Sequence, residues 1–402
     1  MSRPYDVAVV GGGIIGLATA MTVLWRHPSL RLLLLEREAA LATQQTGHNS
    51  GVIHSGLYYT PGSLKARTCV RGRRALVAFC REKGIRHEIC GKLVVALDES
   101  ELERLAELHR RSALNEVEDV DVLDGDGIRA VEPACRGIRA LHVRCTGIID
   151  FTQVAWAFAR EVEERGGEIR TARAVVNVRQ SGGAVVLETS GGSVVASRLI
   201  SCGGLFSDRL AAMAGAPDDL RVVPFRGDYY VVRPEKAHLC RTLIYPVPDP
   251  SFPWLGVHFT RRLDGSVWAG PNAVLAFARK GYGRWDFNPR DTWDTLSWPG
   301  FWALAGRYWR TGLAEMWRDY SKAAYLRALR AYIPDLAADD LLPGPSGVRA
   351  QALSRDGQLV DDFAVYEAPG MIHVRNAPSP AATSSLGIAE MIADRADASF
   401  GW

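Results

Sequence analysis

Three glycines and an acid set out the first chemistry in this sequence. Gly11, Gly13 and Gly16 satisfy G-x-G-x-x-G, and Glu36 lies twenty residues past Gly16. In that spacing Gly11 permits a tight turn, Gly13 lets backbone approach a pyrophosphate, and Gly16 lets a helix pack closely on a strand. Phosphates sit on the positive helix N-terminus, where unpaired N–H groups point outward. A carboxylate ending the next strand can accept hydrogen bonds from ribose hydroxyls. The elements around the motif suit this use. Residues 5–10 (YDVAVV) form a Val-rich apolar run that suits a buried parallel strand. Residues 14–24 are apolar with small side chains, as in a helix packed on a sheet, and residues 31–35 (RLLLL) read as a second buried strand. A lone glycine motif is a weak signal, but strand–turn–helix–strand–acid is a strong one. It predicts a site for an ADP-containing dinucleotide and leaves FAD and NAD both open.

Residues 43–62 hold the next concentration of reactive groups. The segment is polar and contains His48, His54, two tyrosines and four glycines. It is too irregular for a helix and too long for an idle loop, which favours a site. In a two-lobed flavoprotein such a segment passes the isoalloxazine. Residues 198–204 (RLISCGG) read as a buried strand ending in Gly203-Gly204, and paired glycines again permit close backbone approach to a ligand. Ser207-Asp208 can cap the helix that follows. Near the C-terminus, residues 378–400 read as a loop entering a helix, with Ser384 and Ser385 at its start, where free N–H groups gather. That helix N-terminus could face an electron-rich group such as the N1–O2 edge of a reduced flavin.

These residues need two lobes to hold them. A chain of 402 residues is long for one simple core, and 47% hydrophobic residues permit sizeable ones. Helices are expected at 64–83, 99–115, 124–132 and 325–332, and residues 147–150 read as a turn into a helix over 151–165. Strands are expected at 92–97, 168–178, 184–190 and over MIHVRNA, with a hairpin turn at Ser181-Gly-Gly. From Leu220 the pattern becomes β-rich and aromatic, which suits an antiparallel substrate lobe. Residues 282–320 carry Trp285, Trp293, Trp298, Trp302, Trp309 and Trp317, six of the eleven tryptophans. With Arg307, Arg310 and Arg318 beside them, this stretch reads either as a helix with a tryptophan core or as an interfacial, membrane-facing patch.

Charge and cysteine usage narrow the field. There are 48 basic and 45 acidic residues, a net charge of +3, which gives no support for nucleic-acid binding. The seven cysteines contain no C-x-x-C pair and point to free thiols in a reducing compartment, with no metal site. The first strand begins at Tyr5, leaving no room for a signal peptide, and no apolar stretch reaches the roughly 18–20 residues of a spanning helix. A soluble or peripheral protein is expected.

Seven segments in one order, QQTGHNSGVIHSGLYYTPGSLKA, VPFRGDYY, IYPVPDP, LGVHFT, GPNAVLAF, GVRAQA and RNAPSPAATSS, resemble the L-2-hydroxyglutarate dehydrogenase (oxidase) family. The resemblance runs from the first strand to the last helix and is weakest over 282–320. It implies an α/β fold of the D-amino-acid-oxidase and glycine-oxidase type: a Rossmann-like FAD-binding domain plus an antiparallel β-sheet substrate domain, the second lobe being α+β. The expected division is 1–80, 146–218 and 340–402 for the FAD domain, and 81–145 and 219–339 for the substrate domain. The resemblance implies non-covalent FAD, oxidation of L-2-hydroxyglutarate to 2-oxoglutarate, and electron transfer to a quinone, the respiratory chain or oxygen. It also implies a cytoplasmic location, peripheral on the inner face of a bacterial cytoplasmic membrane. A related flavin oxidoreductase acting on glycerol 3-phosphate or a secondary amine is the alternative, since VIHSGLYY is similar to the glycerol-phosphate type. A flavin-binding scaffold without turnover is a third reading.

Given that substrate, C2 must lose a hydride to flavin N5 and the hydroxyl must lose a proton; the flavin carries the hydride chemistry and the protein supplies position and a base. A histidine is the natural base. His54 ranks first and His258 second, with His48 on the cofactor side. The substrate carboxylate calls for an arginine, which can meet it bidentately. Arg349 in GVRAQ is the first choice, and Arg226 and Arg261 are candidates for the distal carboxylate. Tyr59, Asn272 and Gln351 can supply neutral hydrogen bonds. For the cofactor, Gly11, Gly13, Ile15, Gly16, Glu36 and Arg37 are expected from the first unit. Thr46, His48, Asn49, Ser50 and Gly51 follow from the loop. Val175, Gly203, Gly204, Pro380, Ser384 and Ser385 complete the expected set.

Overall fold

Strand Tyr5–Val10 lies at the middle of an eight-stranded sheet because both its faces are apolar and both are covered. The computed structural model describes residues 4–249 and 254–402. Pro250, part of the IYPVPDP segment, lies outside the described residues. The strand pairs in parallel with Leu32–Leu35 on one side and Gly192–Ser201 on the other. Glu168–Arg170 extends the parallel run beyond Leu32–Leu35, and Met371–Asn376 extends it beyond Gly192–Ser201. Hairpins Val175–Ser181/Ala184–Thr189 and Ala364–Ala368/Met371–Asn376 complete the sheet. Helix Ile14–Arg26 packs on it between Phe151–Glu164 and Ser385–Phe400, over a core of Val7, Val9, Leu17, Met21, Phe158 and Ile392.

A nine-stranded sheet forms the second lobe. Its backbone is the long antiparallel pair Leu220–Val232 and Leu341–Ser354. The expected antiparallel character holds with one exception: Leu243–Pro246 runs parallel to Lys92–Ala96. Strands Val120–Asp124 and Arg139–Val143, not read in the sequence, close one edge. The fold is thus mixed α/β, with a Rossmann-like unit and a largely antiparallel second sheet.

Several local expectations are corrected. Residues 147–149 are a strand, not a turn: Gly147–Ile149 sits between Val52–Ile53 and His87–Glu88 in a small third sheet. Such short pairings between distant segments leave no periodicity to read. The single strand expected at 168–178 is two, divided near Ala172 (φ 52°), because the chain changes partner there. Strand Gly192–Ser201 ends before the glycine pair. Ser207 and Asp208 do not cap the next helix: Ser207 Oγ donates to the Arg375 carbonyl, and Asp208 pairs with buried Arg279.

The tryptophan core is also corrected. Of the six tryptophans in 282–320 only Trp298 is buried, at 2% exposure; Trp285, Trp293, Trp302, Trp309 and Trp317 are 55–80% exposed. Helix Pro299–Tyr320, kinked at Tyr308, turns Glu315 and Asp319 inward. Among the described residues no helix is long and apolar enough to cross a membrane, and no cluster of three or more His, Cys, Asp or Glu could hold a metal ion.

Candidate active site

The backbone between the first strand and helix is shaped by close approach. Gly11 adopts φ +117°, and a Cβ there would stand 2.3 Å from the Cys202 carbonyl oxygen. A Cβ on Gly16 would meet the Gly11 oxygen at 1.9 Å, so only glycine lets the helix seat this tightly. The helix N-terminus has no side-chain cap from Gly13; Thr46 Oγ1 accepts from the Ile14 amide at 3.0 Å. The Glu36 carboxylate accepts from the amides of Gly12 (2.6 Å) and Glu38 (2.8 Å). Burial pushes its carboxyl above the usual range, against those bonds.

From this point a cavity of about 770 Å³ runs between the two lobes. One end is lined by Glu36, Arg37 and Val175. Gly11, Gly13, Ile15, Thr46, His48, Asn49 and Ser50 follow, with Gly203 and Gly204 from the second glycine crossing. The far end is lined by His54, His258, Arg349, Gln351 and Pro380. Gly16, Gly51, Ser384 and Ser385 stand behind the lining. The Ser384 and Ser385 amides are taken by the Pro380 and Ala382 carbonyls, so the helix entrance is presented by residues 379–383 instead.

Loop 43–62 is braced at each turn. Asn49 Nδ2 donates to the Gln45 and Thr46 carbonyls, and its Oδ1 accepts from the Gly51 amide. His48 stacks on Tyr282 with centroids 3.8 Å apart, and its Nδ1 lies 3.1 Å from the Ser346 carbonyl. The His54 amide donates to Thr383 Oγ1 at 3.1 Å, tying the loop to the final helix entrance.

The two histidines at the far end are both held neutral. Burial, with the charges of Lys92, His258 and Lys65, pushes His54 down to about 3. Burial, aided by Arg349 and Lys92, takes His258 to about 3 as well. His258 Nδ1 lies 2.9 Å from the Gly256 carbonyl; donation there leaves Nε2 as an acceptor. Arg349 is half-buried in the cavity wall; Glu315 bears on it electrostatically, but no carboxylate of the described residues stands within ion-pair distance of it. Desolvation lowers its pKa. A partly desolvated guanidinium that no carboxylate pairs favours an incoming anion.

Other expected substrate contacts lie elsewhere. Arg349 stands opposite Phe225 and Arg226 opposite Val348, so strand alternation sends the two arginines to opposite faces. Arg226 bonds Asp228 at 2.9 Å and reaches buried Asp319 at 3.5 Å, outside the cavity lining. Asn272 donates to Asp319 and accepts from the Asp228 amide, both at 2.7 Å. Arg261 pairs with Glu88. Tyr59 lies behind the wall, its hydroxyl bonded with Ser379 and its ring 5.2 Å from the Lys65 ammonium. The sequence reading passed over Lys65, Tyr229 and Tyr245, which do line the cavity. Each sits inside a quoted segment (SLKA, FRGDYY, IYPVP), but nothing local marks them as cavity-facing.

These residues fit a flavin dinucleotide: an elongated cavity, two glycine crossings a Cβ would block, and an acid at the ribose end. The comparisons agree. The profile of the family described as FAD dependent oxidoreductase matches residues 6–395. The mitochondrial L-2-hydroxyglutarate dehydrogenase of Nematostella vectensis is 49% identical, covering 98% of this chain and 91% of that protein. The Escherichia coli (strain K12) L-2-hydroxyglutarate dehydrogenase is 47% identical over 97% and 93%. The Homo sapiens mitochondrial one is 45% identical over 98% and 89%. Among solved structures, FAD-bound L-alpha-glycerophosphate oxidase from Mycoplasma pneumoniae superposes with a TM-score of 0.78 at 23% identity, covering 96% of this chain and 93% of that one. Glycine oxidase from Geobacillus kaustophilus gives 0.71 at 18%, over 99% and 95%. The two structural likenesses speak for the fold, and the sequence matches go further: the chain belongs to the L-2-hydroxyglutarate dehydrogenase family of FAD-dependent oxidoreductases.

Proposed function

We propose that this chain oxidises L-2-hydroxyglutarate to 2-oxoglutarate. The observation that carries the reading is Arg349, a half-buried cation in the cavity wall that no carboxylate of the described residues pairs, in a cavity also lined by two neutral histidines. Arg349 binds the C1 carboxylate, and Gln351, two residues on and on the same strand face, supplies a neutral hydrogen bond. Bound non-covalently, FAD supplies a two-electron acceptor for the C2 hydride. His54 accepts the hydroxyl proton. Its ring makes no hydrogen bond among the described residues and so is free to receive it. His258 Nε2 is the second acceptor and orients the hydroxyl. The walls from Tyr229, Tyr245 and Pro271 narrow access of water to the reacting carbon. His48, stacked and hydrogen-bonded, positions the cofactor loop and is not a point of covalent attachment.

Anaerobic mixing of the yellow holoenzyme with L-2-hydroxyglutarate tests this: the visible flavin band should bleach, with one equivalent of 2-oxoglutarate formed. Bleaching by glycerol 3-phosphate alone would transfer the reading to the glycerol-phosphate type, and no bleaching by any hydroxy acid would leave a scaffold.

The electron acceptor in this reading is a membrane quinone. Supporting it, the outward face of helix Pro299–Tyr320 carries Trp302, Arg307, Trp309, Arg310, Leu313 and Trp317 but no acid, both helix carboxylates being buried. Exposed tryptophan beside arginines that no carboxylate of the described residues pairs, Arg310 lying over the Trp309 ring, suits an anionic bilayer surface.

A further inference from the structure

A five-carbon dicarboxylate needs a second cation, and the two arginines expected for it are held by Asp228, Asp319 and Glu88. Lys65 lines the cavity as the second residue of helix Leu64–Glu82. Its main chain is pinned, since Asp362 accepts from the Leu64 and Lys65 amides, each at 3.0 Å. Its ammonium is buried yet pairs at 2.9 Å with Asp361, whose side chain is 89% exposed and also borders the cavity. A buried cation is thus matched to a carboxylate that water can readily take back, and such a half-exposed pair contributes little to stability. Lys65 also sits correctly for the reaction: its charge bears on His54, as that of Arg349 bears on His258. Of the other lining arginines, Arg37, Arg209 and Arg375 are engaged by Glu38, Asp291 with Asp294, and Asp219; Arg173 stands beside Glu36, its amide donating to the Glu36 carbonyl at 2.8 Å, and Arg290 is exposed on helix Pro289–Leu296.

Building on the proposed substrate, we infer that Lys65 is the specificity-determining residue for the distal carboxylate. Its ammonium leaves Asp361 and pairs with that carboxylate while Arg349 holds the other, so the substrate spans the two histidines. Asp361 returns to water and acts as a resting counter-ion.

Titrating holoenzyme with glutarate and with pentanoate, read by the perturbed flavin spectrum, tests the pairing without turnover. Lys65→Met should weaken glutarate at least about tenfold and leave pentanoate within about twofold. Lys65→Arg should restore most of the discrimination, and Asp361→Asn should tighten glutarate. Equal weakening of both acids, or loss of flavin from Lys65→Met, would assign Lys65 to cofactor or fold and overturn the inference. If the glutarate effect stands while L-2-hydroxyglutarate fails to bleach the wild-type flavin, the dicarboxylate site stands and the substrate reading falls.

Discussion

The imidazole of His258 lies against the ring of Tyr245, centroids 3.9 Å apart and planes 34° from each other. Lys92, a residue 1% exposed on the neighbouring strand, holds its ammonium 5.2 Å from the same tyrosine ring and 4.4 Å from that of Tyr58. The cation–π contacts hold a positive charge close to both candidate bases without neutralising it. Desolvation lowers Lys92 itself to about 8.

The first prediction concerns pH. Both histidines are depressed to about 3 in the folded, ligand-free protein, so the basic form persists well below the ordinary histidine range. As kcat/KM reports the free enzyme, it should stay level from pH about 7 down to about 5. Removing a nearby positive charge raises a histidine pKa, so Lys92→Met should move any acid limb upward, and Lys92→Arg should return it. An acid limb near 6.5, the value for an unperturbed histidine, in the wild-type profile would contradict the assignment.

Arg349→Met should raise KM for L-2-hydroxyglutarate more than tenfold, since a lost bidentate bond exceeds ~1.4 kcal/mol. Arg349→Lys should recover only part of it, because a point charge cannot make the paired bonds. Steady-state kinetics with unchanged flavin content are the check; an unaltered KM would remove Arg349 from the substrate.

Arg226→Met should behave oppositely. It leaves Asp319, 4% exposed, without one of its cations, which costs about 3–5 kcal/mol for a buried pair. Arg284 remains at 3.3 Å and lessens that loss. Thermal unfolding should therefore show a lowered midpoint while KM of the folded fraction stays near wild type. A raised KM with unchanged stability would return Arg226 to the substrate site.

Liposome flotation tests the tryptophan face. Vesicles with anionic lipid should capture the protein at low salt, and added salt should weaken capture through Arg307 and Arg310. Trp302→Ser with Trp309→Ser should release it without altering flavin reduction by substrate. Equal flotation of this double variant would place the contact elsewhere.

Much of the cofactor side was legible because it is local. The strand, the three glycines, the helix and Glu36 lie within thirty-two consecutive residues, and their geometry follows from sterics and hydrogen bonding along one stretch of chain. GVRAQ likewise marked Arg349 and, two residues on, Gln351. The misplaced residues share a different property. Whether Arg226 faces the cavity depends on strand register, and its partners Asp228, the Gly283 carbonyl and Asp319 come from three segments. No local pattern encodes that choice. The same holds for Lys65, whose relevance arises only where Asp361 and Asp362 meet it across nearly three hundred residues.

By itself, then, the sequence determined a dinucleotide anchor, a two-lobed α/β chain and the chemical types available for oxidising a hydroxy acid, since these rest on short-range spacing and composition. Tertiary structure alone decided which cations meet the cavity and which are consumed by carboxylates, and that His54 and His258 line one cavity as neutral rings. It also decided that five tryptophans face outward. Each of these depends on desolvation and on pairing between distant segments, which are properties of the folded surface and not of any stretch of chain.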